Sequence, residues 1–202
     1  MIQPVENNIE KQQTYAKQLG RYKLAMRNDF FFEAMMIVYA MLEDRLNSYL
    51  YYIGAYDNRK IIKISKRTKK YLLEIVSLYE KGDKQIRLRT DTITGKMKIV
   101  EATLKWVEDV TNVQDKYLVE LKNELEGIDV GGLLITIDEI KDWLKYRNEI
   151  VHASMNKNID CLYESLKLRV EDGMEYARFL DNQVKILKKS NNVRKKMNMG
   201  DK

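Results

Sequence analysis

Helix breakers are almost absent from this chain. Its 202 residues hold one proline, at position 4, and nine glycines. Proline removes a backbone donor and clashes with the preceding turn, and glycine carries the largest entropic penalty for being ordered. A chain this poor in both is predicted to run in long helices joined by short loops. At this length it reads as one domain that buries its own core without staples. The expectation is an all-α fold, an up-and-down bundle of about five or six helices. Residues 1–190 would form a single helical domain, and residues 191–202 a basic, flexible C-terminal tail.

Apolar periodicity places the helices. Residues 6–26 carry spaced apolar positions (Ile9, Tyr15, Leu19, Tyr22, Leu24) and read as an amphipathic helix. Asn28 or Asp29 is positioned to cap the next one. That helix, over residues 30–53, is the most apolar stretch, FFFEAMMIVYAMLEDRLNSYLYYI, and belongs in the centre of a bundle. Its interior charges, Glu33, Glu43, Asp44 and Arg45, must face water or find partners. Ser65 or Thr68 can open a helix that ends near residue 81. Residues 82–95 are the least regular, a short hairpin or an exposed loop. One long helix is predicted over 96–126, and Gly127, Gly131 and Gly132 mark the loop after it. Thr136, three residues before Glu139, reads as a capping box that opens the following helix. A turn over 156–160 and a last helix over about 161–189 complete the chain.

Composition excludes several classes of chemistry. There is one cysteine, Cys161, and one histidine, His152, so neither an intrachain disulfide nor a Cys/His metal cluster can form. A single histidine also cannot supply the paired E-x-x-H signature of a di-metal bundle. A glycine-rich phosphate loop and a G-x-S-x-G elbow are both missing. No leader-like segment opens the sequence and no apolar run is long enough to span a bilayer, so we expect a soluble, cytoplasmic protein with no membrane partner and no cofactor. The net charge is +6. The bases cluster in three places: residues 59–70, with seven bases and no acid, and the stretches 81–98 and 185–196. Such clusters are commonly no more than a solvated face. They also suit a polyanion held through its phosphates rather than its bases.

The lone histidine sits in the sequence Lys145-Tyr-Arg-Asn-Glu-Ile-Val-His152. Asn148 and His152, four residues apart on a helix, point the same way. Arg147 starts about 140° around the helix from His152, at roughly 100° per residue, and must curl back to share a ligand with it. An imidazole that exchanges protons near neutrality, beside an arginine fork that grips phosphate oxygens, is equipment for cutting RNA. The bland alternative is a packed or surface histidine that happens to follow an arginine, and spacing alone does not exclude it.

With this motif on a late helix of an all-helical chain, the sequence resembles the HEPN superfamily, whose signature is Arg, four to six residues, then His, commonly with a polar residue after the Arg. Arg147, Asn148 and His152 match it. A weaker likeness covers residues 38–50, VYAMLEDRLNSYL, where Glu43 matches an acid of the family's early core helix and Asp44 is its rival. Ser154 stands where members paired with a nucleotidyltransferase antitoxin often carry tyrosine. The resemblance implies a metal-independent endoribonuclease of toxin or phage-defence type, built across a homodimer, with RNA as substrate and an antitoxin or regulatory protein as a further partner. In that reading His152 is acid or base, Arg147 stabilises the phosphorane, Asn148 orients, and Glu43 holds Arg147 or His152. Lys63, Lys66, Arg67, Lys69, Lys70, Lys145 and Lys157 would bind the RNA. Two alternatives stand beside it: a non-catalytic HEPN-like module that binds RNA, a nucleotide or a partner protein, and a helical adaptor in which His152 is buried against apolar neighbours.

Overall fold

The computed structural model describes residues 8–59, 62–80, 86–153 and 159–199. Among them are eight helices: α1 (Asn8–Arg27), α2 (Phe31–Tyr52), α3 (Lys69–Tyr79), α4 (Ile93–Asp109), α5 (Lys116–Leu125), α6 (Val130–Ala153), α7 (Ile159–Ser190) and α8 (Asn192–Lys196). The described residues contain no strand beyond an isolated bridge between Tyr56 and Ile64. The all-α expectation holds. Among the described residues, no helix is long and apolar enough to cross a membrane.

The helices outnumber the five or six expected, for local reasons. The stretch 96–126 is not one helix: α4 ends at Asp109 and α5 begins at Lys116. Val110, Thr111, Asn112 and Val113 between them are poor helix formers. The carboxylate of Asp115 then starts α5 by accepting from the amides of Tyr117 at 2.8 Å and Leu118 at 3.4 Å. The apolar stripe spans the break because Val107 and Tyr117 are both buried on either side of it. Of the irregular stretch, residues 86–92 have no regular structure, and Thr92 caps α4 by accepting from the amide of Gly95.

Two expected start signals serve other ends. Asn28 donates its side-chain amide to the carbonyl of Leu24 at 2.8 Å, and Asp29 adopts a left-handed φ of 57°. Both therefore close α1, where a left-handed residue ends the helical ladder. Thr136 lies within α6, its hydroxyl donating to the carbonyl of Gly132 at 2.8 Å. The N-terminus of α6 lies at Val130, where the carboxylate of Asp129 accepts from the amide of Gly132 at 2.9 Å. Gly131 and Gly132 thus occupy the first turn of a helix rather than a loop. A side chain at Gly132 would meet Phe179 and the Asp129 carboxylate.

The chain divides into two compact units, residues 1–42 with 142–177, and residues 43–141 with 178–202. The first unit packs α1 and the first half of α2 with the end of α6 and the start of α7. Met35, Val38, Trp143, Val170 and Met174 lie in its core. Trp143 donates its indole N–H to the carbonyl of Arg169 at 2.6 Å, across the site of Gly173. The second unit is centred on Leu46, Tyr49, Leu50, Leu104, Leu121 and Leu187, all fully buried. Full burial of each such side chain contributes about 1.5–3 kcal/mol.

The segment expected to be a tail is described through Met199. Residues 192–196 form α8, and Val193 and Arg194 are buried. Arg194 donates to the carbonyls of Tyr51, Tyr56, Asp57 and Met199 at 2.8–3.2 Å. Its guanidinium lies 3.7 Å from the centroid of the Tyr51 ring. Burial, together with the nearby charge of Arg59, brings its pKa down to about 10 against the opposing pull of Asp57 and Tyr52. Glu124, itself buried, accepts from the amides of Asn192 and Val193 and from the Ser190 hydroxyl. Sequence pattern registered the bases of this segment and not the carbonyls waiting for one of them.

Candidate functional site

The last turns of α6 carry the motif, and the first unit holds them in place from two sides. Toward α7, Trp143 is anchored as described, the Tyr146 hydroxyl lies 2.8 Å from that of Ser165, and Arg169 stacks on the Tyr146 ring at 5.2 Å. Toward α2, Arg147 sends its guanidinium over the ring of Tyr39, 4.6 Å from the centroid. Its Nη2 donates to the sulfur of Met36 at 3.3 Å, and its Nη1 to the side-chain oxygen of Asn148 at 3.0 Å. No carboxylate pairs with Arg147 among the described residues. A guanidinium seated on an aromatic face and a thioether keeps its charge uncancelled, because both are neutral partners.

Asn148 and His152 are both exposed. The reading of His152 as a packed core histidine is thereby set aside. The arrangement presents an imidazole to solvent and, on the same helix, a positioned guanidinium with unspent charge. An exposed imidazole can give or take a proton, and the guanidinium can bind an anion. The seat of Arg147 was missed in the sequence. Met36 and Tyr39, three residues apart in an apolar stretch, look like ordinary core positions there, although Met36 is 38% exposed. Phe32, one turn earlier, is 40% exposed.

The other expected site residues divide. Glu43 belongs to the second unit, where its Oε1 accepts from Nζ of Lys96 at 2.6 Å. Lys96 is only 2% exposed. The carboxylate of Glu43 therefore neutralises a buried ammonium. Asp44, its rival, pairs with Arg45, which also reaches Asp181 at 2.5 Å. Lys145 is exposed and paired with Asp142 at 2.8 Å. Lys63, Lys66, Arg67, Lys69 and Lys70 are all exposed in the second unit. Lys157 and Ser154 lie outside the described residues. Among the described residues, no three of His, Cys, Asp and Glu come together as a metal site would require.

Comparison with protein-family models, with curated proteins and with solved structures gives no match.

Proposed function

We propose that this protein is a metal-independent endoribonuclease of HEPN type, cytoplasmic and acting as a homodimer, with a toxin or phage-defence role. The observation that carries the reading is the pairing on α6 of an exposed His152 with an Arg147 whose charge no described carboxylate cancels. In the reaction a ribose 2′-oxygen attacks the adjacent phosphorus. The O2′–P bond forms and the P–O5′ bond breaks, leaving a 2′,3′-cyclic phosphate and a 5′-hydroxyl. One imidazole takes the 2′ proton and a second, protonated, gives one to the departing 5′-oxygen. Each chain has one histidine, so two chains are needed to supply both. Arg147 faces the charge that develops on the phosphorane, and Asn148 orients it. We assign Glu43 to Lys96 rather than to this step.

The test is incubation of wild type and His152→Ala with a mixed structured RNA in EDTA, followed by mapping of product ends. Cleavage by wild type alone, ending in cyclic phosphates, is expected. Equal cleavage by both proteins would refute the assignment.

The seat of Arg147 also favours a second reading, a non-catalytic helical module that binds RNA or a partner protein. The guanidinium is already engaged by Tyr39, Met36 and Asn148, and must leave them to reach a phosphorane. RNA binding without cutting by wild type selects this reading.

A further inference from the structure

Two base-rich segments, more than a hundred residues apart in sequence, meet in the second unit. Arg67 donates from one nitrogen to the carbonyls of Met197 at 3.0 Å and Asn198 at 3.2 Å. Arg194 ties α8 to the carbonyls of Tyr56 and Asp57, just before the first basic segment. The turn before α3 and the turn after α8 are thereby neighbours. Residues 59–70 hold seven bases and no acid, and residues 185–199 hold six bases and no acid.

The disposition of these charges is unfavourable for the fold itself. Lys66, Arg67, Lys69 and Lys70 crowd the N-terminal end of α3, and its first turn has no acid. A helix N-terminus carries the positive end of the macrodipole, so stability would place acids there. Thr68, at the cap position, spends its hydroxyl on the carbonyl of Gly54 instead of on the helix. Lys63, Lys66 and Lys69 have no carboxylate partner among the described residues. The acids close by are accounted for: Glu74 lies 3.9 Å from Lys70, Asp57 accepts from the Ser65 hydroxyl, and Glu120 pairs with Lys196 at 2.8 Å. Tyr51, Tyr52 and Tyr56 are buried and present no face for a base to stack on.

We infer that Lys63, Lys66, Arg67, Lys69 and Lys70, completed by Lys195 of the docked α8, form a track for the phosphate backbone of structured RNA, read without regard to base sequence. This rests on the RNA reading of the chain and adds where the RNA is held. A track of phosphate contacts releases counterions, so affinity falls steeply with salt, by about 0.9 in logarithmic slope for each phosphate neutralised on a duplex. The buried Arg194 acts through α8, whose following turn Arg67 joins to the first segment, and the exposed Lys195 of α8 also donates to the Ser190 carbonyl at 2.9 Å.

The experiment measures binding of a fluorescent RNA hairpin between 50 and 200 mM salt by anisotropy, with His152→Ala as the parent so that no substrate is consumed. In that parent, Lys66→Glu/Lys69→Glu should lower the salt slope by about two and weaken binding at least tenfold at 100 mM salt. Glutamate at the start of α3 favours the helix, so this variant should fold. Lys17→Glu/Lys23→Glu on α1 makes the same change in net charge and should leave the slope intact. Lys195→Glu should lower it by about one. Arg194→Met, with its helix content checked by circular dichroism, should weaken binding as Lys195→Glu does while the first segment is untouched. Hairpins of unrelated sequence should bind alike. Equal effects of the α1 and α3 pairs would overturn the track, since net charge alone would then govern binding. Competition by poly-glutamate as effective as by unlabelled hairpin would overturn the phosphate assignment. Cleavage by the otherwise wild-type chain is scored separately, so a protein that binds RNA on this track and never cuts it refutes the nuclease reading alone.

Discussion

Substituting Glu43 separates a structural acid from a catalytic one. Its Oε1 lies 2.6 Å from Nζ of Lys96, an ammonium 2% exposed, whereas the Glu43 side chain is 32% exposed. Removing one partner of a fully buried ion pair costs about 3–5 kcal/mol, because the other charge stays behind undissolved. Here water reaches the carboxylate and screens it, and glutamine keeps an acceptor for the ammonium. The expected cost of Glu43→Gln is therefore about 2 kcal/mol. Lys96→Met leaves a partly exposed carboxylate that water can solvate, and should cost about 1 kcal/mol. The double variant should cost little more than Lys96→Met alone, giving a coupling of about 1.5–2 kcal/mol in the cycle. Urea unfolding followed by circular dichroism supplies the four free energies, and RNA cleavage at 25 °C is measured on the same preparations. If the ion pair is the work of Glu43, cleavage per folded molecule stays near that of wild type in all three variants. A Glu43→Gln protein as stable as wild type, but unable to cut RNA, would refute this reasoning.

Two further outcomes follow from the described contacts. Burial raises the pKa of Asp115, but the Tyr71 hydroxyl and the amides of Tyr117 and Leu118 outweigh it, with help from Lys70, and hold the carboxyl below its usual range. A carboxylate depressed in the folded state contributes its stability above the unfolded value of about 3.9 and loses it as pH falls through the folded value. Asp115→Ala should therefore cost about 1 kcal/mol at pH 7 through the lost cap of α5, and its stability should decline less steeply than that of wild type below about pH 5 in urea titrations. Gly173→Ala would ordinarily strengthen a helix interior by about 1 kcal/mol. Here the added carbon would lie 2.6 Å from the Trp143 indole nitrogen and 2.8 Å from Val38, so thermal unfolding should show a net loss of about 1–2 kcal/mol.

Much of the scaffold was legible because helices are local. The apolar spacing of residues 6–26 and 30–53, and of the last long helix, lies in contiguous stretches, and α1, α2 and α7 follow those limits closely. Boundaries went astray where one side chain decides them. Asp115 starts a new helix within residues 96–126 without interrupting the apolar stripe, and Asp129 starts α6 before the Thr136 signal. A threonine that donates to the carbonyl four residues back looks, in sequence, the same as one that caps. The motif on α6 was equally visible, because Arg147, Asn148 and His152 share one helix. The seat of Arg147 was not, since nothing in the sequence tells Met36 and Tyr39 from their buried neighbours.

Charge partners are the least legible feature, and they sort the basic residues by purpose. Lys96 and Glu43 are 53 residues apart, and Arg67 finds its carbonyls 130 residues further on. Once those partners are known, Lys96 and Arg194 are accounted for by the fold: each is buried, and each is satisfied by groups the core presents to it. Lys63, Lys66 and Lys69 are not. They are exposed, unpaired among the described residues, and two of them stand at the end of α3 where a base opposes the helix dipole. Arg147 belongs with them, since its neutral seat holds the charge in place without cancelling it. Residues that cost the fold something, or give it nothing, are where function is expected to reside. By that criterion Lys63, Lys66 and Lys69 in the second unit, and Arg147 in the first, are each a place where the fold leaves a cation for a ligand.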